Sequence, residues 1–392
     1  MNDRWLLPQG IEESLPHEAQ QLEVMRRRLL DTYARWGYQL VMPPFIEYLD
    51  SLLTGTGHDL NLQTFQLVDQ LTGRVMGVRA DMTPQVARID AHQLKREAPN
   101  RLCYIGTVLH TRPDGFGGSR SPMQVGAELY GHAGVESDVE IICLMLETFR
   151  QANVENVLLD LGHVGIFRAL AAQAGLNAEQ EATLFEMLQR KAVPEIREFL
   201  AGLSLADALR NMLASLPELH GDMSCVARAE TVLQDADASV KSALDYLRRT
   251  AQRLSERVPD VKIHFDIAEL RGYHYQTGIV FAAYVPGQGQ EIARGGRYDA
   301  IGEVFGRARP ATGFSTDLKT LVDLSTATPQ DMTTAIFAPC SDDASLLPAM
   351  AQLRAQGETV IEQLPGQAGD AKTMGCDKQL VKRNAQWLVE KA

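Results

Sequence analysis

Between Met123 and Tyr130 the side chains alternate, so Gln124, Gly126, Glu128 and Tyr130 share one face of a strand, while Met123, Val125, Ala127 and Leu129 share the other. A polar face with a gap at Gly126 suits the floor of a small-molecule pocket, with Glu128 for an ammonium and Gln124 for a polar tip. The same alternation also fits an antiparallel strand with one solvated face. Arg79, Asp81 and Thr83 alternate onto one face at the end of another strand. They can present a carboxylate and a hydroxyl to a ligand, or Thr83 can simply cap the helix that Pro84 begins. Arg271-Gly272-Tyr273-His274-Tyr275-Gln276-Thr277-Gly278 combines a fixed positive charge with aromatic and hydroxyl groups, suited to gripping a carboxylate beside a ring. An ion-paired edge strand would read the same. The glycines of Arg294-Gly295-Gly296-Arg297-Tyr298-Asp299 let a ligand approach the backbone closely, as would an ordinary strand-to-helix turn.

These residues need elements to hold them. Leu22, Met25, Leu29, Tyr33 and Trp36 recur at helical steps, predicting a helix over 18–36 that closes at Gly37. Tyr38–Met42 reads as a strand ended by Pro43-Pro44. Thr64–Asp69 and Arg74–Val78 read as a hairpin around Thr72-Gly73. Leu102–Thr111 and Met123–Gly131 read as antiparallel strands with a glycine-rich tip at Asp114–Gly118. Ser137 with Glu140 predicts a capping box before the run Ile141–Phe149. Residues 178–255 carry helical periodicity and little strand signal, a helical insertion between two parts of one sheet. Strands return at Val261–Ala268, Tyr273–Val285 and Glu291–Ala293. Beyond a linker near 325–334, Ala335–Ala338, Asp342–Gln356 and Thr359–Gln363 read as a β-α-β unit, with a final helix near Lys378–Glu390. The division expected is 1–324 and 325–392.

Composition narrows the function classes. Apolar residues make 45% of the chain and charged residues 22%, values of a globular domain rather than a disordered or fibrous one. With 38 Lys and Arg against 50 Asp and Glu, the net charge of −12 repels a phosphate backbone, so no nucleic acid is expected as a partner. The five cysteines lie far apart without a C-x-x-C pair, predicting neither a metal site nor a disulfide framework, and reduced cytoplasm fits them best. No run of eighteen apolar residues exists, so no membrane partner is expected, and the opening stretch is too acidic for a signal peptide. No GxxxxGK[ST] loop is present, and no cofactor is expected.

Taken together and in order, several segments resemble histidyl-tRNA synthetase, a class II synthetase, over most of 1–324. GYQLVMPPFIEYLD resembles its first motif, VRADMT its α-amino-binding segment, and NRLCYIG through QVGAELYG its second motif. ELRGYHYQTG and ARGGRYD resemble its two histidine-recognition segments. The resemblance implies an α+β fold: a class II antiparallel sheet with flanking helices, a helical insertion and a small C-terminal α/β unit. It implies a histidine site made by Asp81, Thr83, Gln124, Glu128, Arg271, Tyr275 and Tyr298, with Arg271 beside the carboxylate and the two tyrosines lining the imidazole pocket. Gln276 replaces a further tyrosine of the family and His274 an aspartate.

The adenylation positions differ. By the same resemblance, His110 stands for the second-motif arginine, Arg112 for a nearby acid, and Thr320 for the third-motif arginine. Losing one preorganised transition-state donor typically costs ~10²–10³ in rate, so adenylation is expected to be lost and no catalytic residue is assigned. A synthetase-like chain with a histidine pocket, no adenylation arginines and a reduced C-terminal part is similar to the regulatory subunits of ATP phosphoribosyltransferase. That similarity implies a self-associating, non-catalytic chain in the first step of histidine biosynthesis. Its partner would be a short-form catalytic subunit and its effector L-histidine. A divergent synthetase, with Arg112 or Arg120 recovering the phosphate contacts, and a stand-alone histidine-binding module are the alternatives.

Overall fold

A computed structural model describes residues 5–55, 58–113, 118–273, 275–326 and 335–392, the side chains of 58 and 59 aside. The predicted tip at 114–117, His274 and most of the predicted linker lie outside the described residues. The chain divides into two compact units after Thr326.

In the larger unit, α1 (Pro16–Arg35) begins on a proline whose missing N–H has no helical partner to lose, and it buries Leu22, Met25, Leu29 and Tyr33. Gly37 at φ +83° turns the chain out of it. The Pro43-Pro44 corner leaves β1 (Gln39–Leu40) only two residues. A small antiparallel sheet follows in the order β2-β4-β3, made by β2 (Ile46–Tyr48), β3 (Gln66–Val68) and β4 (Val75–Val78). Between β2 and β3 lie α2 (Leu49–Leu52) and α3 (His58–Gln63). After β4, α4 (Thr83–Arg88) runs on as a π-helical turn, Ile89–Leu94.

The main sheet is assembled from β5 (Asn100–Thr107), β6 (Met123–Tyr130), β7 (Leu158–His163), β8 (His220–Gly221), β9 (Lys262–Asp266), β10 (Ile279–Tyr284), β11 (Ala293–Arg297) and β12 (Ala311–Asp317), together with β1. Its order is β1-β5-β6-β12-β11-β10-β7-β9-β8, with only β1–β5 and β7–β9 parallel. Among the helices are α5 (Val135–Gln151), α6 (Val164–Gln173), α7 (Ala178–Gln189), α8 (Val193–Ala201), α9 (Asp207–Ser215), α10 (Ser224–Val232), α11 (Ala238–Arg257) and α12 (Leu318–Asp323). The stretch from α7 to α11 is the predicted helical insertion, except that β8 adds a two-residue strand to the sheet edge.

The helices bury one face of the sheet. Leu29 and Tyr33 of α1, Ile141 and Met145 of α5, Phe167 of α6 and Leu247 of α11 join Ala127, Phe281 and Phe314 in one apolar core. Strand alternation then sends Glu128, Tyr298 and their neighbours to the opposite face. Register makes that face hollow. Glu128 lies opposite Gly313, Gly313 opposite Gly296, Gly296 opposite Val280 and Val280 opposite Gly162, a row with three glycines. A Cβ on Gly313 would sit 1.5 Å from the Glu128 carboxylate and one on Gly126 would sit 2.3 Å from the Tyr104 hydroxyl, so both positions require glycine.

Three local expectations are corrected. The residue before α5 is Gly134, and no capping box forms: Ser137 Oγ bonds the Gly134 carbonyl at 2.8 Å, while Glu140 is drawn to Arg101 at 2.6 and 2.8 Å. The predicted strand Tyr273–Val285 begins only at Ile279, because Tyr275 and Gln276 both turn back to the Gly272 carbonyl at 2.7 Å. The predicted helix near Lys378–Glu390 is a hairpin. In the second unit, β13 (Ala335–Ala338), α13 (Leu346–Ala355) and β14 (Thr359–Glu362) form the expected parallel unit, and β15 (Lys378–Arg383) adds to it before pairing with β16 (Gln386–Lys391). Asn384 and Ala385 take φ +46° and +67°, the two-residue turn that joins twisted strands, and no helix survives two such residues.

One buried ion pair ties the sheet to α5. Arg297 bonds Asp138 at 3.0 Å and Ser137 Oγ at 2.8 Å, and both charged groups are buried. Tyr246 of α11 donates to the same carboxylate at 2.5 Å. Removing one member leaves the other charged and dry, so Arg297→Ala is expected to cost ~3–5 kcal/mol in equilibrium urea unfolding, against well under half of that for the exposed pair partner Arg190→Ala.

Candidate functional site

A cavity of about 810 Å³ opens on the hollow face of the main sheet. Asp81, Thr83, Glu128, Arg271, Tyr275 and Tyr298, six of the residues expected from sequence, line it. Gln124 does not. It stands behind Asp81, donating to the Asp81 carboxylate at 2.7 Å and accepting from the Met82 N–H at 2.9 Å.

Thr83 is not a helix cap. It is the first residue of α4, and the Asp81 carboxylate accepts its N–H at 3.0 Å, so the acid is held at the helix start. Freed from capping, Thr83 Oγ1 lies 3.1 Å from the Tyr104 hydroxyl. Tyr104 in turn donates to Glu128 at 2.9 Å, and Tyr298 donates to the other Glu128 oxygen. A chain of hydroxyls therefore runs from the mouth to the floor. Tyr104 was not among the expected residues, although an antiparallel pairing of β5 with β6 sets it opposite the Gly126 gap noted in the sequence.

Glu128 is 1% exposed. Burial pushes its carboxyl up to about 8 against the pull of the Tyr298 and Tyr104 hydroxyls, and the charge of Asp81 adds to the rise. Around it the walls are flat: Tyr275 stacks on Tyr298 with ring centres 5.1 Å apart and planes inclined 23°, and Tyr130 meets Tyr298 edge-on. Among the described residues, the Tyr275 hydroxyl and Gln276 Oε1 are buried without a hydrogen-bond partner. These are groups that a polar ligand would satisfy.

Arg271 reaches the cavity from the loop between β9 and β10. Glu269 grips it at Nε, 3.1 Å from both oxygens, and at Nη2, 2.7 Å. Asp160 lies 3.6 Å from Nη2, and Asp160 also pairs with His264 at 2.8 Å. Among the described residues Nη1 makes no hydrogen bond and forms only the longer ion pair with Glu291 at 3.5 Å. The guanidinium is thus aimed by carboxylates, with Nη1 the nitrogen they hold least closely. Among the described residues, no group of three His, Cys, Asp or Glu side chains is placed to hold a metal ion.

The altered synthetase positions lie apart from this constellation. His110 is buried with Nε2 2.9 Å from the Ala80 carbonyl. Arg120 spends its guanidinium on the His110 and Gln9 carbonyls at 3.0 and 3.1 Å, and Arg112 is exposed. Thr320 bonds Asp317 at 3.0 Å within the start of α12. None of the four lines the cavity.

Residues 10–321 match the family model described as histidyl-tRNA synthetase, and residues 333–390 match that of the ATP phosphoribosyltransferase subunit HisZ C-terminal domain. The ATP phosphoribosyltransferase regulatory subunit of Thioalkalivibrio sulfidiphilus is 64% identical over 389 residues, covering 99% of this chain and 98% of that protein. The chain belongs to the ATP phosphoribosyltransferase regulatory subunit family. The regulatory subunit of Methylococcus capsulatus is 56% identical over 99% of the chain and 96% of its own length. Among solved structures, an ATP phosphoribosyltransferase regulatory subunit/histidyl-tRNA synthetase from Bacillus halodurans superposes with a TM-score of 0.83 at 27% identity, covering 95% of this chain and 96% of that one. Histidyl-tRNA synthetase from Nostoc, at 17% identity and a TM-score of 0.78 over 96% of this chain and 91% of its own, shares the fold. The class II α+β architecture expected from the motifs is therefore that of this regulatory subunit family. No helix among the described residues is long and apolar enough to cross a membrane.

The raised Glu128 carboxyl has a signed consequence. The folded chain keeps this proton up to about pH 8, whereas the unfolded chain loses it near the ordinary 4.5, so the ligand-free fold binds more protons between these values and loses stability as pH rises through that window. Glu128→Gln removes the contribution. Its urea midpoint relative to the parent is expected to rise steadily from pH 4.5 to pH 8.

Proposed function

We propose that this chain is a non-catalytic subunit that binds free L-histidine in the cavity and passes its occupancy to a short-form ATP phosphoribosyltransferase catalytic subunit, in a cytoplasmic hetero-oligomer. One observation carries the reading: the amino-acid side of the site is built, while His110, Arg112, Arg120 and Thr320 put no cation into the cavity. Phosphoryl chemistry depends on charges aimed at the transferring group, and here they are absent from the positions where the synthetase resemblance places them.

Within that reading the two carboxylates divide the ligand. Asp81, fixed by Gln124 and the Thr83 N–H, is assigned the ammonium, with Arg271 Nη1 for the carboxylate. Glu128 is assigned the imidazole rather than the ammonium expected from sequence, because it is buried between tyrosine rings and holds a proton near neutral pH. A protonated carboxyl can donate to a neutral ring nitrogen at small desolvation cost; a strongly hydrated ammonium would have to be stripped of water there.

Two outcomes test this. Purified chain is expected to give no histidine-dependent ATP–pyrophosphate exchange and no phosphoribosyl transfer alone, yet to co-elute with a short-form catalytic subunit and make its rate respond to histidine. Robust exchange, or a catalytic rate and histidine response indifferent to this chain, refutes the regulatory reading. In calorimetry, Glu128→Ala is expected to weaken histidine binding about tenfold or more, since leaving a buried ring nitrogen without its hydrogen-bond partner costs ~1–3 kcal/mol. An unchanged affinity places the effector elsewhere.

A further inference from the structure

The loop between β9 and β10 carries Arg271 and Tyr275 into the cavity, and one of the groups that hold it comes from outside the cavity. Arg168 of α6 does not line the cavity, yet its Nη2 donates to the carbonyls of Tyr273 at 2.7 Å and of Gln276 at 3.1 Å. One guanidinium thus bonds both carbonyls. Its plane also lies over the Tyr273 ring, 4.8 Å from the centre. That ring is wedged between Phe167 of α6 and Phe185 of α7, and its hydroxyl donates to Glu181 at 2.5 Å.

We propose that Arg168 is a positioning residue of the ligand site, which sets the orientation of Tyr275 by clasping the two carbonyls on either side of it. Tyr275 lies within the stretch the clasp spans. Its ring is the one stacked on Tyr298, whose hydroxyl holds Glu128, so the geometry of the flat pocket wall depends on a guanidinium outside it. Arg271 has its own independent anchor in Glu269, which makes the two effects separable. The ligand part of this inference rests on the histidine reading above; the loop part does not.

Arg168→Met keeps the apolar stem and removes the donors, while Arg168→Lys keeps a donor. In the full chain without ligand, hydrogen–deuterium exchange at the Tyr275 and Gln276 amides is expected to accelerate about tenfold or more in Arg168→Met, with the β10 amides unchanged. L-histidine and L-histidinol, which lacks the carboxylate, are then titrated by calorimetry. Both are expected to lose about tenfold or more in affinity in Arg168→Met and to recover most of it in Arg168→Lys, whereas Arg271→Ala weakens histidine and spares histidinol. Unchanged exchange at the two loop amides overturns the proposal. So does a loss confined to histidine, which would mean that Arg168 acts through Arg271. If the parent chain binds neither ligand, the histidine reading falls, and the exchange experiment alone decides the role of Arg168.

Discussion

The Glu128 carboxyl, sealed from water at the bottom of the cavity and held by two tyrosine hydroxyls, sets the conditions that the neighbouring structure meets. A carboxyl group cut off from water needs its hydrogen-bond partners from the protein, and Tyr104 of β5 and Tyr298, just past β11, supply them. The space it occupies is made by omission. Gly313 lies directly opposite in the ladder, and any side chain there would collide with the carboxylate oxygen. Sheet register, glycine placement and tyrosine placement are therefore one constraint expressed on four strands.

Around this centre the charged groups follow a common pattern in which each is aimed by a partner of opposite sign or by a helix start. Asp81 is fixed by Gln124 and the Thr83 N–H that begins α4, and Arg271 by Glu269. Arg297, in the same segment as Tyr298, points away from the cavity and is spent on Asp138. The motif ARGGRYD thus has two parts one residue apart: Arg297 locks β11 to α5, and Tyr298 faces the cavity. Alternation along a strand separates them.

The fold is shared with histidyl-tRNA synthetase from Nostoc, while the residues at the positions the resemblance gives to adenylation, His110, Arg112 and Thr320, do not line the cavity. Arg120 serves backbone carbonyls near the N-terminal segment. A guanidinium bound in this way contributes to the fold, and releasing it would leave those acceptors unpaired.

Local chemistry alone determined much of this molecule: the α1 stripe of Leu22, Met25, Leu29 and Tyr33, the hairpin at Thr72-Gly73, the pairing of the second-motif strands, and the polar face of β6 with its gap. These follow from periodicities of 3.6 and 2 and from Gly and Pro stereochemistry, which act over a few residues. What sequence could not assign was decided by partners distant along the chain. Ser137 and Glu140 have the spacing of a capping box, yet Arg297 and Arg101 claim them instead. Thr83 has the identity of a cap, yet Tyr104 takes its hydroxyl, and Glu128 has the charge to meet an ammonium, yet burial beside tyrosine rings raises its carboxyl to about 8. Residues 378–391 show no strong periodicity, and a two-residue turn with both φ values positive settled them as a hairpin against β13. Side-chain type limits which bonds a residue can make; which it does make depends on what the fold brings within 3 Å, and that is set by tertiary packing.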